Sequence, residues 1–388
     1  MPYVSRASFE SDSIALVLAF GKLSVLELCA AVPGIERLEQ PSERICTVKL
    51  TQSNRPLAKL AGIHKFAPVL TEFSGDGRKI SDLVKSITAE ADVSRFALSG
   101  YDVADEDYED LVRMLLDAFR EQGLKKVRLL RPRGNELLAE DVLSRDALDV
   151  IVFPHRGWYA LGPTVWVSDT AAIRARTTAR PAPSPEISMS PRLAQTLINI
   201  SGLSQGQTLL DPFCGSGTIL AEGLSRSLHC VGVDSNRNRI RDAKKNLDWA
   251  DRSRRGRYSL RVGDAKNLSV LIGRSSVDGV VTEPFLLPRL NSRLSASMAG
   301  ELMAAAGDTY ARALSSIAEV LRPGGRAVIV IPVLQTVDGG EVSIELDARE
   351  LGLLQYQPGK LGFRYPVRLS FESTRWIRRA VYVFESRA

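Results

Sequence analysis

The stretch TLLDPFCGSGTILAEG, residues 208–223, constrains the fold more than any other part of the chain. An apolar run closes on Asp211, a loop carries Gly215 and Gly217, and an apolar pattern of helical spacing follows. A strand that hands over to a helix through glycines is the first half of a βαβ unit, and such units assemble into a parallel sheet with helices on both faces. The rhythm continues downstream: HCVGVD ends on Asp234, LRVGD ends on Asp264, and DGVVTEPF runs into Glu283. RALSSIAEVL then reads as a helix, Pro323-Gly324-Gly325 as a tight turn, RAVIVIPV as an apolar strand and RWIRRAVYVFE as a closing strand. The expected fold class is α/β, with a Rossmann-like, doubly wound C-terminal domain.

Ligands of such sheets lie beyond the carboxyl ends of the strands, so these acids and the glycine loop should line one cleft. Gly215 and Gly217 let the backbone turn and approach a ligand at a helix N-terminus, where free amide groups favour a carboxylate. Asp234 is placed to accept from ribose hydroxyls, and Asp264 from an adenine amino group. The loop is not GxGxxG, which sets aside a dinucleotide, and no Gly-Lys-Ser/Thr follows, which excludes a P-loop. A nucleoside cofactor fits.

DPFCGSGTILAEG resembles motif I of class I S-adenosylmethionine-dependent methyltransferases, in particular the RNA guanine-N2 methyltransferases that include the archaeal and eukaryotic tRNA guanosine-10 enzymes. ISMSPRLAQTLINIS is similar to the helix that leads into that motif. The resemblance implies S-adenosyl-L-methionine as cofactor. It implies that Asp211, Gly215 and Gly217 hold the methionine part, Asp234 the ribose and Asp264 the adenine, with Pro212, Cys214, Thr218, Ser235 and Ala265 completing the cofactor-binding set. It also implies a ferredoxin-like segment over residues 1–75, a THUMP-like RNA-binding domain over 76–168, a basic proline-rich linker over 169–188 and the methyltransferase over 189–388. The C-terminal half matches on motifs, the N-terminal half in layout alone.

The family follows with Asp-Pro-Pro-Tyr, whose carboxylate and proline carbonyl accept from a base amine while the ring stacks on the base. This chain has Thr282, Glu283, Pro284 and Phe285. Glu283 keeps a carboxylate one methylene longer, Pro284 takes the first proline's place, and Phe285 brings the ring one residue early. The catalytic set is Glu283, Pro284 and Phe285 if the target is a base amine. Another target, whether a different base position, a DNA base or a protein, and a cofactor-binding protein without activity remain open at this point.

An excess of 51 Lys and Arg over 45 Asp and Glu, a formal +6, favours an anionic partner such as nucleic acid, which the resemblance implies to be tRNA. The candidate RNA contacts are Lys125, Lys126 and Arg128 in KKVRLLRP, Arg174, Arg176 and Arg180 in the linker, and Arg289 after the candidate catalytic loop. A solvated strand edge protected by charge is the alternative for the first three. No apolar run approaches the ~20 residues of a membrane-spanning helix, and MPYVSRASFESDS has no signal-peptide pattern, so a cytoplasmic location is expected. Cys29, Cys46, Cys214 and Cys230 form no CxxC and read as small hydrophobes, with no metal site indicated. His64, His155 and His229 have no nucleophile or ligand pattern around them and read as structural. In the N-terminal half, SIALVLAF, ICTVKL and FAPVL are expected as strands, LSVLELCAAV and LAKLAGIHK as helices. DEDYEDLVRMLLDAFREQG is expected as a helix ended by Gly123, and Pro191 as the opening of a helix capped by Ser190.

Overall fold

The computed structural model describes the chain apart from residues 1–2, 5–10, 12, 52–54, 74, 76, 91–92, 139–140, 143–146, 183–188, 252–256, 285–286, 288–289, 360–361, 370–375 and 388. Phe285 and Arg289 therefore lie outside the described residues. The chain forms two compact units, one of Met1–Val25 with Val32–Ala172 and one of Leu26–Ala31 with Ile173–Ala388.

In chain order the strands of the first unit are β1 (Tyr3–Val4), β2 (Ile14–Leu18), β3 (Ile35–Glu39), β4 (Ile45–Leu50), β5 (Ile63–Pro68), β6 (Thr71–Phe73), β7 (Arg95–Gly100), β8 (Arg128–Leu129), β9 (Leu148–His155), β10 (Trp158–Pro163) and β11 (Trp166–Val167). Among the described residues they make a six-stranded antiparallel sheet of order β1-β11-β5-β2-β4-β3 and a five-stranded sheet of order β6-β10-β9-β7-β8. The two sheets trade strands: β6, from the segment before residue 75, borders β10, while β11, from the segment after it, sits between β1 and β5.

Helices Gly77–Glu90 and Asp105–Glu121 cover the second sheet, with Ile80, Leu83, Val84, Leu111, Leu115 and Phe119 packed on Phe96, Leu98, Val150 and Val152. Each such aliphatic or aromatic side chain contributes about 1.5–3 kcal/mol by leaving water. The other face of that sheet, with Tyr101, Ile151, Phe153 and Ala160, meets Ala15, Val17, Ile45 and Ala67 of the first.

The expected helix over LAKLAGIHK is not formed. Arg55–Lys59 is a short 3-10 turn, and Ile63–Lys65 opens β5. The reason is Lys65, 1% exposed, whose ammonium reaches Asp149 Oδ2 at 2.9 Å and Ser99 Oγ at 3.2 Å. A buried cation needs its carboxylate, and strand geometry on β5 delivers it. His155 is likewise held by its partners, with Nδ1 at 2.9 Å from Glu72 and Nε2 at 3.1 Å from Glu39.

The strands of the second unit are β12 (Thr208–Asp211), β13 (His229–Asp234), β14 (Arg257–Val262), β15 (Val277–Thr282), β16 (Leu321–Gln335), β17 (Glu341–Ser343), β18 (Leu353–Gln355), β19 (Val367–Arg368) and β20 (Ile377–Ser386). They form one nine-stranded sheet along β14-β13-β12-β15-β16-β20-β18, with β17 beside β16 and β19 beside β20. The first five of these strands are parallel, and β20 runs antiparallel to β16. This is the doubly wound sheet expected from the sequence, with the expected closing strand, which runs antiparallel.

Ser190 caps the helix Pro191–Ile200, its Oγ accepting from Leu193 N at 3.2 Å. Pro323 to Gly325 form a bulge inside β16 instead of a separate turn, with Gly324 at φ 75° and the pairing to β15 slipping between Val277 and Gly279. Helix Ala296–Val320 buries Met303, Tyr310, Leu314 and Ile317 against Val280, Ile329 and Ile331. Among the described residues no helix is long and apolar enough to cross a membrane.

Candidate active site

Each acid named above lies where its strand ends. Asp211, 2% exposed, closes β12, and its Oδ1 accepts from Thr282 Oγ1 at 2.7 Å and from Phe213 N at 3.2 Å. That pair ties the end of β12 to the end of β15, its neighbour in the sheet. Burial pushes the Asp211 carboxyl up to about 7, against the pull of these donors. Pro212 is buried behind it.

The glycine loop is held from the next strand. Asp234 Oδ2 accepts from Gly215 N at 2.9 Å, Oδ1 accepts from Asn236 N at 2.8 Å, and Cys214 N donates to Val233 O at 3.0 Å. Gly215 has φ 52° and Gly217, the N-cap of helix Thr218–Ser225, has φ 86°, a region that side chains strain to enter. Gly232 in β13 serves by close approach. A Cβ there would meet Leu220 at 2.6 Å, Leu260 at 2.7 Å and Cys214 Sγ at 3.0 Å. Burial raises the Cys214 thiol, which makes it packing and not a nucleophile.

Asp264 is exposed, with Oδ1 accepting from Lys266 N at 2.9 Å and Oδ2 3.4 Å from Lys266 Nζ. Ala265 is buried and Ser235 exposed. The structure thus brings Asp211, the loop and Asp234 into direct hydrogen bonding, and sets Asp264 after the neighbouring strand β14. Each Asp234 oxygen keeps a second lone pair, and the amides opening helix Thr218–Ser225 have no helical partner. This donor and acceptor set, with open space over Gly215 where a Cβ would meet nothing within 4 Å, fits a nucleoside bearing an amino-acid tail.

Glu283 and Pro284 follow β15 directly. Glu283 Oε1 is ion-paired with Arg379 Nε of β20, the two side chains being 16% and 14% exposed. Pro284 O accepts from Tyr310 Oη at 2.5 Å. Burial first, and the charge of Glu283 second, raise the Tyr310 hydroxyl well above its ordinary range, so it stays a donor. Neither Arg379 nor Tyr310 stands out in the sequence, where the one local signal for Arg379 is its place beside the apolar run Ala380–Phe384, buried in the fold.

Two linker arginines point inward within the second unit. Arg180, 8% exposed, donates from Nη1 to Thr218 Oγ1 at 2.6 Å, and Arg176 Nε donates to Glu222 Oε1 at 3.0 Å. Glu222 is 3% exposed and also accepts from Gln195 at 2.7 Å; burial raises its carboxyl while Arg176 opposes that. Asn246, missed in the sequence, links Ala182 O at 3.0 Å to Ser216 O at 2.9 Å. Arg174 is exposed on the helix Thr170–Thr178, which occupies the first part of the expected linker. Lys125, Lys126 and Arg128 are exposed at β8, the edge strand of the five-stranded sheet in the first unit.

Comparison with known proteins agrees with this geometry. Residues 176–338 match the UPF0020 family, described as an RMKL-like methyltransferase domain. Over 145 residues the chain is 32% identical to the tRNA (guanine(10)-N2)-dimethyltransferase of Methanothermobacter thermautotrophicus, covering 37% of this chain and 39% of that protein. The Pyrococcus abyssi protein of the same name is 29% identical over 146 residues, 38% of this chain and 39% of that one. The matched segment thus spans about two fifths of each relative's length. In fold, the chain is similar to TrmN from Thermus thermophilus, with TM-score 0.54 at 17% identity over 96% of this chain and 99% of that one. A possible methylase from Clostridium difficile 630 gives 0.51 at 15% identity over 97% and 98%. With the sheet order, the glycine loop and the acids in place, residues 176–338 are similar to the UPF0020 family of RMKL-like methyltransferase domains, on a fold similar to that of TrmN.

Proposed function

We propose that the protein methylates the exocyclic N2 amine of a guanosine in tRNA, with S-adenosylmethionine as cofactor. The observation that carries this reading is the pairing of a held carboxylate, Glu283, with a held carbonyl, Pro284, at the end of β15, one strand from Asp211 and the glycine loop. Two relatives, 32% and 29% identical over about two fifths of their length, are named tRNA (guanine(10)-N2)-dimethyltransferases.

Asp211 with Pro212, Cys214, Gly215, Gly217 and Thr218 would hold the methionine part, Asp234 with Ser235 the ribose, and Asp264 with Ala265 the adenine. Bound there, the cofactor supplies an electrophilic methyl group. A base amine is a weak nucleophile because its lone pair is delocalised into the ring. Glu283 and the Pro284 carbonyl accept from the amine protons, which favours a pyramidal nitrogen and fixes its direction; positioning and electrostatics do more here than full proton removal. Glu283 then takes up the proton the nitrogen loses. Lys125, Lys126 and Arg128 offer phosphate contacts on a first unit that serves as the THUMP-like RNA-binding half, in a protein of the cytoplasm.

Nucleoside mass spectrometry of tRNA from a deletion strain tests the substrate: N2-methylated guanosine is lost and returns with the wild-type gene. If a different nucleoside disappears, the guanine assignment fails. With purified protein, Asp234→Ala removes cofactor binding by calorimetry, whereas Glu283→Ala keeps it and lowers turnover by about 10²–10³-fold. Unchanged turnover in Glu283→Ala would remove Glu283 from the chemistry.

A further inference from the structure

The sheet separates Glu283 from Arg379 by one whole strand. Glu283 follows Thr282, which pairs with Ile329 of β16, and Arg379 pairs with Pro332 on the other side of β16. Two strand spacings amount to about 9–10 Å across the sheet, and the two-residue offset in register adds about 6–7 Å along it, a gap that only two long side chains can close. Arginine and glutamate close it; an aspartate, shorter by one methylene, would fall short by about 1.5 Å. Both groups are largely buried, and a part-buried carboxylate without its cation is costly.

We propose that Arg379 is the positioning residue for Glu283, and that this reach explains why the chain carries glutamate at the end of β15; the inference rests on the function proposed above. Glutamate has one more rotatable bond than aspartate, and anchoring Oε1 on Arg379 removes the freedom that bond adds. The backbone of the same dipeptide is fixed from a different element, since Tyr310 of helix Ala296–Val320 holds the Pro284 carbonyl. That carbonyl has two lone pairs, so the bond to Tyr310 leaves one for a substrate amine. Side chain and carbonyl, the two acceptors of the site, are thus aimed by β20 and by a helix, and Arg379 itself touches no substrate.

The test compares Arg379→Gln, Arg379→Lys, Glu283→Asp and the double variant Glu283→Asp/Arg379→Gln, reading kcat, KM for tRNA, cofactor affinity by calorimetry and Tm. Arg379→Gln is expected to lower kcat by about 10–100-fold with cofactor affinity within about twofold, the scale of a 1 Å misplacement. Arg379→Lys should recover part of that loss, because the charge returns without the fork. Glu283→Asp should lose a similar factor, and the double variant should be no worse than Glu283→Asp alone, since both changes break the same contact.

An Arg379→Gln enzyme with unchanged kcat, a loss of cofactor affinity in step with kcat, or additive losses in the double variant would overturn the inference. Should Arg379→Gln fail to fold, Arg379→Lys and Glu283→Asp carry the comparison, and wild-type kcat in both overturns it. A wild-type protein that methylates no tRNA overturns the proposed function and this inference together, whereas an active wild type indifferent to Arg379→Gln overturns this inference alone.

Discussion

At Asp211 burial moves the carboxyl from its ordinary 3.8 up to about 7, while Thr282 and Phe213 pull it the other way. Between these two values the folded protein keeps a proton that the unfolded chain has released. This group's contribution to stability is therefore complete below pH 3.8, declines as pH rises towards about 7, and stays lost above it. Asp211→Asn retains an Oδ1 that accepts from both donors and cannot ionise. Calorimetric Tm should accordingly favour the variant increasingly with pH, the gap widening by about 4 °C from pH 5 to pH 8. A gap independent of pH would show that Asp211 is already ionised in the fold. The acids at 211, 234 and 264 were legible because each ends an apolar run. Arg379, Asn246 and Tyr310 were not, since their partners lie 96, 64 and 26 positions away and only the sheet and helix packing join them.

At the scale of elements, the segment after the first unit carries more order than its composition conveys. Prolines and arginines there read as a basic linker; Thr170–Thr178 is helical, and Arg176 and Arg180 face Glu222 and Thr218 on the helix of the glycine loop. Nothing in the local pattern shows that Glu222 is buried, because its helix is read as amphipathic only once its neighbours are known. Strand β13 gives the sharper test. Gly232→Ala places a methyl against Leu220, Leu260 and the Cys214 sulfur, and overpacking of this kind costs about 1–3 kcal/mol. Because Cys214 belongs to the glycine loop, Tm and cofactor affinity should fall together in this variant. A lower Tm with unchanged affinity would mean that the sheet absorbs the strain without moving the loop.

Over the whole molecule, the parallel sheet of the second unit followed from alternating apolar strands and helices, whereas the first unit's antiparallel pairing depends on contacts far apart in sequence and was read only in outline. Its charge does lead to a measurement. With a formal +6 and Lys125, Lys126 and Arg128 exposed in and just before one edge strand, tRNA affinity should fall steeply with salt. Replacing the three by alanine should reduce the log–log slope by about 2–3 while cofactor affinity holds; an unchanged slope places the RNA elsewhere. The traded strands of the first unit bear on how it can be divided. Because β11 completes the sheet begun by β1 and β5, and β6 borders the one built later, a chain cut near residue 75 would leave each piece with an unfinished sheet. Neither piece is therefore expected to fold alone, whereas the two co-expressed could reassemble through these same strands.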